Sequence, residues 1–392
     1  MLSVRQGVLI LFITFVWLPR VPAASFLFDA TKAEMAGNAD WVIDADTHNL
    51  KVSAASDASG TPGSGSESNP QRYPTPDQAS VTVSMSETNW EGALSAWAMD
   101  LVRHGHHVET LPYNGRITWK SGTNAQDLSN YNIFVLVEPN ILFTAAEKAA
   151  IINFVKNGGG LFIVSDHGAS DRNNDGADSV QVLNDLMTNS VQNNPFGVHY
   201  NGDSISPNTS NMDTNSADPI SRGAAGAAVN YVYNAGSSIT VNTNQNATTS
   251  IAIWNTGTRS TNNAIFVYGT YGAGKFVTTG DSSPFDDGTG DPSDSLFYAQ
   301  GYADPSTSNG RVILNASLWL AQLPTPPVLR MTPVDKNIFQ IAWPLAASGY
   351  SLQASTDFSS WNIVSNGIQT VGTNAVFTTN FSGQRQFFRL AQ

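Results

Sequence analysis

The chain has 392 residues, a formal net charge of −12 at pH 7 and no cysteine. The lack of cysteine excludes disulfides, cysteine nucleophiles and cysteine-ligated zinc. The acidic balance argues against nucleic acid as a partner, because phosphate binding requires lysine and arginine, and it favours solubility and the binding of cations.

The first segment has the pattern of a secretory signal peptide. Arg5 precedes an apolar stretch from Gly7 to Leu18, and small residues suited to cleavage follow, so we expect residues 1–24 to be removed. The stretch is short for a membrane span, and no later segment is apolar enough to cross a bilayer. The sequence therefore predicts a secreted or cell-surface protein, or a periplasmic one, with a retained N-terminal anchor as the alternative.

The elements before residue 112 are predicted from short patterns. The apolar run at residues 26–29 predicts the first strand. Residues 56–80 are rich in glycine, serine and proline, which is typical of a long surface loop. Apolar residues at helical spacing predict a helix over residues 87–105, with Gly105 at its C-terminal cap, and a strand over residues 106–111.

The clearest local signal is a strand, a helix and a second strand in succession. Residues 133–137 form an apolar run, and Thr144 with Glu147 has the spacing of a capping box at a helix start. Glycines 158–160 end that helix, and residues 161–166 form the next strand. This βαβ order predicts parallel pairing and an α/β domain with a doubly wound, mainly parallel sheet over residues 25–323.

The remainder of the chain divides at a proline-rich linker, residues 324–327. Before it, residues 178–190 predict a helix, residues 263–281 predict two strands around a glycine-rich turn, and residues 310–323 predict a closing helix. After it, residues 328–392 contain short, alternating, aromatic-rich runs, which predict a small antiparallel β-sandwich.

Four of the predicted strands end at an acidic residue: Asp29, Glu138, Asp166 and Asp281. In an open parallel sheet the carboxyl ends of the strands share one edge, where ligands bind, so these side chains are expected to converge there. His167 follows Asp166 and is suited to act as a general acid, a general base or a metal ligand. A histidine that only bonds its own loop is the alternative.

The loop after Asp166 resembles half of a calcium loop. Asp171, Asn173 and Asp175 alternate and Gly176 follows, as in the first half of a helix–loop calcium site. The twelfth position is Val182 rather than glutamate, so other acids would have to complete the shell. The predicted ligands of Ca²⁺, or of Mg²⁺, are Asp171, Asn173, Asp175, Asp178, Asp286 and Asp287. Asx turns without a metal are the alternative.

Several phrases together carry a family resemblance: "FDATKAEMAGNADWVID", "YNIFVLVEPN", "FTAAEKAAIINFVKNGGGLFIVSDHGASDRNNDG" and "GKFVTTGDSSPFDDGTGD". They resemble secreted bacterial proteins with a class I glutamine amidotransferase-like, flavodoxin-like domain. The resemblance implies that fold over residues 25–322. Amidotransferases of this superfamily use a cysteine nucleophile, which this chain lacks, and members without it are sometimes labelled hydrolases. The tail is similar to a β-sandwich module at the end of many large secreted bacterial proteins.

Two functions remain open from the sequence. The first is a secreted hydrolase, metal-assisted or cation-stabilised, in which His167 is the acid or base and Asp166, Glu138 and Asp281 orient it or bind a metal. Its substrate would be neutral and polar, as carbohydrate is. The second is a non-catalytic, calcium-stabilised protein that binds glycans or a cell-surface component. No G-x-S-x-G motif occurs, so Ser282 is interpreted as a turn residue or cation ligand rather than a nucleophile.

Overall fold

The computed structural model describes most of the chain after the signal-like segment. The described residues are 23–36, 39–41, 43, 92–112, 115–242, 247–288, 300–322, 329–335, 338–345, 350–380 and 385–391. Residues 1–22 of the predicted signal peptide, the predicted loop 56–80 and the predicted linker 324–327 lie outside them. Among the described residues, no helix has both the length and the apolar character needed to cross a bilayer.

Among the described residues, the structure contains twenty strands, four α-helices and two short 3₁₀ helices. The strands are β1 (Ser25–Asp29), β2 (Met35–Ala36), β3 (Ala39–Asp40), β4 (His107–Leu111), β5 (Ile133–Val137), β6 (Gly160–Val164), β7 (Val198–Tyr200), β8 (Asn208–Thr209), β9 (Tyr231–Val232), β10 (Ile239–Val241), β11 (Thr248–Trp254), β12 (Ala264–Tyr271), β13 (Gly274–Thr279), β14 (Arg330–Asp335), β15 (Ile338–Pro344), β16 (Ser351–Ser355), β17 (Asn362–Ile363), β18 (Ile368–Val371), β19 (Asn374–Asn380) and β20 (Phe387–Ala391). The helices are α1 (Ser95–Arg103), α2 (Ala145–Lys156), α3 (Ser179–Met187) and α4 (Asn309–Ala321).

A mixed sheet of nine strands organises the larger part of the molecule. Its order is β4-β1-β5-β6-β13-β12-β10-β7, and β11 pairs with β12. The strands from β4 to β13 in this order pair in parallel, whereas β12, β11, β10 and β7 join through antiparallel pairs. The predicted α/β class is therefore confirmed. The flavodoxin-like detail stays a prediction.

Apolar side chains pack on both faces of this sheet. Successive residues of a strand point to opposite faces, and in β5 Val135 belongs to one core cluster while Phe134 belongs to another. The first cluster includes Trp97 of α1 and Val312 of α4, and the second includes Ile151 of α2. The helices therefore cover both faces and leave the strand ends to carry polar groups.

The βαβ unit forms as its sequence predicts. Strand β5 has the predicted bounds, and β6 pairs with it in parallel. Thr144 and Glu147 form the capping box reciprocally at the start of α2, and Gly158 follows the helix with a φ of +114°. The predicted helix over residues 87–105 is shorter. It begins at Ser95, whose hydroxyl donates 2.5 Å to the Gly92 carbonyl in the preceding turn.

Two antiparallel sheets form the C-terminal part. One has the order β14-β15-β19-β18 and the other has the order β17-β16-β20. Ile341 and Trp343 of the first sheet share a small buried cluster with Leu352 of the second, so the two sheets face each other. This arrangement agrees with the predicted β-sandwich. The division of the chain into domains of residues 25–323 and 328–392 stays a prediction.

Candidate functional site

The four acidic strand ends lie at one edge of the nine-stranded sheet. Strands β1, β5, β6 and β13 are successive parallel neighbours, so Asp29, Glu138, Asp166 and Asp281 follow them on the same side. None of the four residues is more than 3% exposed. The predicted convergence of these residues on the carboxyl edge is therefore present in the fold.

A buried ion-pair network joins two of these acids through Arg172. Its Nη2 donates to Asp166 Oδ2 at 2.8 Å, and its Nε donates to Glu138 Oε1 at 3.3 Å. The sequence interpretation missed Arg172, which lies inside the predicted calcium loop. Its guanidinium offsets the repulsion between two close carboxylates without any metal ion.

Glu138 is the most enclosed member of the network. It is 0% exposed, and its Oε2 accepts hydrogen bonds from Trp41 Nε1 at 2.6 Å and from Ser282 Oγ at 2.5 Å. Burial, and then the charge of Asp166, raises the pKa of Glu138 well above its usual range, although Arg172 opposes the shift. The backbone of Glu138 has a φ of +46°, a left-handed conformation that is strained for a side-chain-bearing residue.

His167 is the partly exposed member of the site, with 25% of its side chain accessible. Its Nδ1 lies 2.7 Å from the Gly168 carbonyl, so in the neutral ring Nδ1 carries the proton and donates to that oxygen. Its Nε2 lies 3.8 Å from Asp166 Oδ2. The neutral ring thus has its basic nitrogen beside a carboxylate oxygen.

Asp281 and Asp29 each accept hydrogen bonds from a residue that follows closely in the chain, and Asp281 also accepts one from a distant residue. Asp281 accepts from the Ser283 amide at 2.9 Å, from the Ser283 hydroxyl at 2.6 Å and from the Asn234 amide. Burial, and then the charge of Asp166, raises the pKa of Asp281 to about 8. Asp29 accepts from the Thr31 amide at 3.2 Å, and burial raises its pKa to about 6 while the charge of Lys32 opposes the shift.

Replacing Asp281 with asparagine is expected to flatten the pH dependence of stability. An aspartate in an unfolded chain titrates near pH 3.9, so between about pH 4 and 8 the folded protein binds more protons than the unfolded chain. The stabilising contribution of this group is therefore complete below pH 4 and is lost as the pH rises to 8. We expect about 5 kcal/mol of unfolding free energy to be lost across this window in the wild type and retained in the variant.

Urea denaturation at several pH values between 5 and 8 measures how steeply the unfolding free energy falls with pH. Asp127→Asn is the control. Burial acts to raise the pKa of Asp127, but hydrogen bonds from Ser129, Thr118 and Ser121 outweigh it and lower the pKa to about 2, outside the window. The control should change stability by the same amount at every pH tested. Equal slopes for wild type and Asp281→Asn would contradict the prediction.

The predicted calcium ligands bond to nearby backbone amides. Asp171 Oδ2 accepts from Gly176 N at 2.8 Å, and Asp175 Oδ1 accepts from Ala177 N at 3.0 Å. Asp178 caps helix α3, where it accepts from Gln181 N at 2.8 Å in a capping box. These contacts are typical of Asx turns and helix caps.

The other predicted ligands also have protein partners. Asn173 Nδ2 donates to the Asn140 carbonyl at 3.1 Å, and Asp286 accepts from Gly288 N at 2.9 Å. Asp287 accepts from Ala96 N at 2.7 Å in the first turn of α1. Across the described ranges, no three histidine, aspartate or glutamate side chains are grouped so as to hold a metal ion. Calcium binding stays a prediction.

Calcium titration tests that prediction. At a calcium concentration about one hundred times Kd, binding to the folded state would add about 2.7 kcal/mol, or roughly 5–10 °C in the melting temperature. The increase should disappear in the Asp171→Ala/Asp175→Ala double variant and persist in Asp203→Ala, which removes a carboxylate outside the loop that accepts hydrogen bonds from Ser238. Identical melting curves with calcium and with a chelator would leave these residues as turn formers.

Comparison with known proteins gives matches among solved structures alone, at low similarity. No family model and no curated protein matches the sequence. Among solved structures, the "mmIFT52 N-terminal domain" is 15% identical with a TM-score of 0.43, covering 76% of this chain and 97% of that one. A cytoplasmic protein from Salmonella typhimurium is 15% identical with a TM-score of 0.36, covering 58% and 87%.

A β-galactosidase from Rahnella sp. R3 is also similar to part of this chain. It is 12% identical with a TM-score of 0.32, and the match covers 78% of this chain but only 37% of the enzyme. Since all these TM-scores are below 0.5, the likenesses carry no argument about the chemistry of this protein. The predicted membership of the class I glutamine amidotransferase-like superfamily stays a prediction.

Proposed function

We propose that this protein is an exported hydrolase that acts at the carboxyl edge of its sheet on a neutral polar substrate, with carbohydrate as the substrate class. The observation that carries the proposal is the arrangement of His167. Its Nδ1 is fixed by the Gly168 carbonyl, and its Nε2 lies 3.8 Å from Asp166 at a partly exposed position. The signal-like pattern of residues 1–24 supports export.

The chemistry follows from the two ring nitrogens. Nε2 of neutral His167 accepts a proton from a water molecule that attacks the substrate, and the Asp166 carboxylate stabilises the resulting imidazolium. The same imidazolium then returns the proton to the leaving group. His167 and Asp166 are thus the residues proposed to face the reaction.

Arg172 supplies the positive charge. Its Nε and Nη2 bond to the carboxylates of Glu138 and Asp166, and Nη1 has no hydrogen bond among the residues that the structure describes. A guanidinium held in this way suits a substrate oxygen that becomes negative during hydrolysis. Glu138, which is 0% exposed, and Ser282, which donates to it, act as positioning residues.

The substrate class is supported by charge. The chain carries a net charge of −12, and the edge itself carries four buried acids against one arginine of the network. The negative net charge of the chain disfavours anions, whereas a neutral, hydroxyl-rich molecule both donates to the Asp166 carboxylate and accepts from the guanidinium. Neutral carbohydrate has this chemistry.

A hydrolytic screen of the wild type against His167→Ala tests the proposal. The panel contains nitrophenyl glycosides, nitrophenyl esters and neutral polysaccharides, and we expect His167→Ala to lose about 100- to 10,000-fold in kcat on the class that the wild type hydrolyses. The matched control is His199→Ala, which removes an exposed histidine of β7 and should retain full activity. Equal activity of wild type and His167→Ala would overturn the assignment of this residue.

A non-catalytic binding protein is the second candidate, and one observation favours it. Glu138 is fully buried with both oxygens hydrogen-bonded, as an ion pair that serves only stability would be. This candidate predicts retention on immobilised glycans with no hydrolysis of any panel member. Hydrolysis that depends on His167 would exclude it.

A further inference from the structure

A cavity of about 630 Å³ lies at the amino edge of the sheet, opposite the acidic carboxyl edge. Its lining residues are Ala217, Asp218, Pro219, Arg222, Gly223, Ala224, Tyr268, Asn315, Trp319 and Gln322, here called the amino-edge pocket. Lys275, near the start of β13, donates to the carbonyls of Trp319 and Gln322 at 2.9 Å each, which places the end of α4 at this edge. Asp281 follows the opposite end of β13, about 20 Å away along an extended strand.

Two aromatic side chains form the apolar part of the pocket. Trp319 and Tyr268 meet edge to face, with ring centroids 5.3 Å apart and an interplanar angle of 80°. Both are partly exposed. The Lys275 ammonium lies 4.9 Å from the centroid of the Trp319 ring. The indole is therefore held in a fixed orientation by two neighbours while part of it still borders the cavity.

The polar part of the pocket contains one acidic and one basic side chain, and hydrogen bonds to the protein hold both in place. Asp218 is 4% exposed, and its Oδ2 accepts from the Tyr268 hydroxyl at 3.0 Å. Arg222 Nη1 donates to the Ala228 carbonyl at 3.1 Å, which anchors the guanidinium beside the cavity. One carboxylate and one guanidinium cancel, so the lining favours neither an anion nor a cation. The exposed Gln322 adds both a donor and an acceptor at the rim.

We propose that the amino-edge pocket binds a neutral saccharide. Trp319 offers a ring face to the C–H face of a pyranose, while Arg222 and Gln322 bond its hydroxyl groups. The volume lies within the range of about 300–1,000 Å³ that is usual for small-molecule sites. Because it lies apart from His167, the pocket serves as an accessory site that anchors a polysaccharide, whether or not the carboxyl edge is catalytic.

Affinity electrophoresis of the full chain tests the proposal. The gels contain a neutral polysaccharide (xyloglucan, galactomannan, mixed-linkage β-glucan or dextran) or the anionic polygalacturonate. We expect at least one neutral polymer to retard the wild type and Trp319→Ala to weaken that binding at least tenfold. Gln322→Ala, at an exposed position, should weaken the binding about threefold to tenfold. This variant provides the test if Trp319→Ala fails to fold.

Two controls separate this pocket from other surfaces. Trp254→Ala removes a different partly exposed tryptophan with a cation over its ring, that of Arg259 at 5.9 Å, and should bind as the wild type does. Trp119→Ala removes another partly exposed tryptophan, whose ring centroid lies 5.4 Å from the Lys120 ammonium, and should also retain binding. The proposal is overturned if no neutral polysaccharide retards the wild type, if only polygalacturonate does, or if folded Trp319→Ala and Gln322→Ala both bind normally.

Discussion

Replacing Arg172 with methionine is expected to lower the free energy of unfolding by about 3 kcal/mol. The guanidinium bonds to Asp166 at 2.8 Å and to Glu138 at 3.3 Å, and both acids are buried. Methionine retains an aliphatic chain of similar length but leaves the two carboxylates without their positive partner. The loss lies at the lower end of the range for a broken buried pair because 25% of the Arg172 side chain is exposed.

Chemical denaturation of a matched pair of variants measures this effect. Arg259→Met breaks an ion pair with Asp213 of 2.7 Å at a more exposed position, 40% for the arginine and 23% for the aspartate, and should cost less than about 1 kcal/mol. Comparable losses in the two variants would show that the Arg172 network contributes no more than a surface pair.

The pH dependence of the same variant gives a second test. Without Arg172, the pKa of Glu138 rises further, so the folded variant keeps this proton to a higher pH than the unfolded chain does. The destabilisation should therefore be larger at pH 8 than at pH 5. Adding Glu138→Gln to Arg172→Met should restore part of the stability and remove this pH dependence, because the buried charge is gone. A loss that is independent of pH in the single variant would argue against a charge-based cause.

Replacing Trp97 with alanine is expected to lower the free energy of unfolding by about 4 kcal/mol. Its ring is 0% exposed, and Phe28 and Phe162 lie 4.9 Å from it, centroid to centroid, while Phe285 lies 5.2 Å away. Its Nε1 donates to Ser317 Oγ of α4 at 2.9 Å. Alanine would leave a large cavity between the sheet, α1 and α4 and would remove the hydrogen bond to Ser317, whose hydroxyl still donates to the Ile313 carbonyl at 2.8 Å.

This substitution should also disturb the candidate site. Phe285 belongs to the turn Ser283–Phe285, which follows Ser282, the donor to Glu138. Amide hydrogen exchange at residues 281–286 should therefore accelerate in Trp97→Ala. Trp119→Ala removes a partly exposed tryptophan that meets Phe154 edge to face, with ring centroids 5.7 Å apart, and should cost only about 1–2 kcal/mol with no change at those amides. An unchanged turn in Trp97→Ala would contradict the coupling.

The parts of the fold that could be predicted have local causes. Strand β5 and helix α2 follow from an apolar run, a capping box and a glycine stop, and each of these signals lies within a few residues of the element it defines. The convergence of four acids at one edge follows from the parallel pairing of their strands. Residues 190–260 lack such signals, and they contain short antiparallel strands whose pairing depends on distant partners.

The partners of the acids could not be predicted, because they depend on loop conformation. Arg172 was hidden within an apparent calcium loop, and its contacts with Glu138 and Asp166 exist only once that loop folds back over the sheet edge. Trp41 and Ser282 reach Glu138 from positions 97 and 144 residues away in the chain. No spacing rule links residues so far apart. The only local signal was the dense clustering of polar residues after β6.

The place of β13 in the sheet constrains the order in which the molecule can fold. Strand β6 ends at Val164, but its parallel neighbour β13 begins only at Gly274. Contacts across such a sequence separation form slowly, because the intervening chain must first be confined. During refolding, the contact between Arg172 and Glu138 can close early, whereas Ser282 arrives only when β13 is inserted. The complete site should therefore form later than the compact chain. Refolding kinetics should show this delay as a late phase.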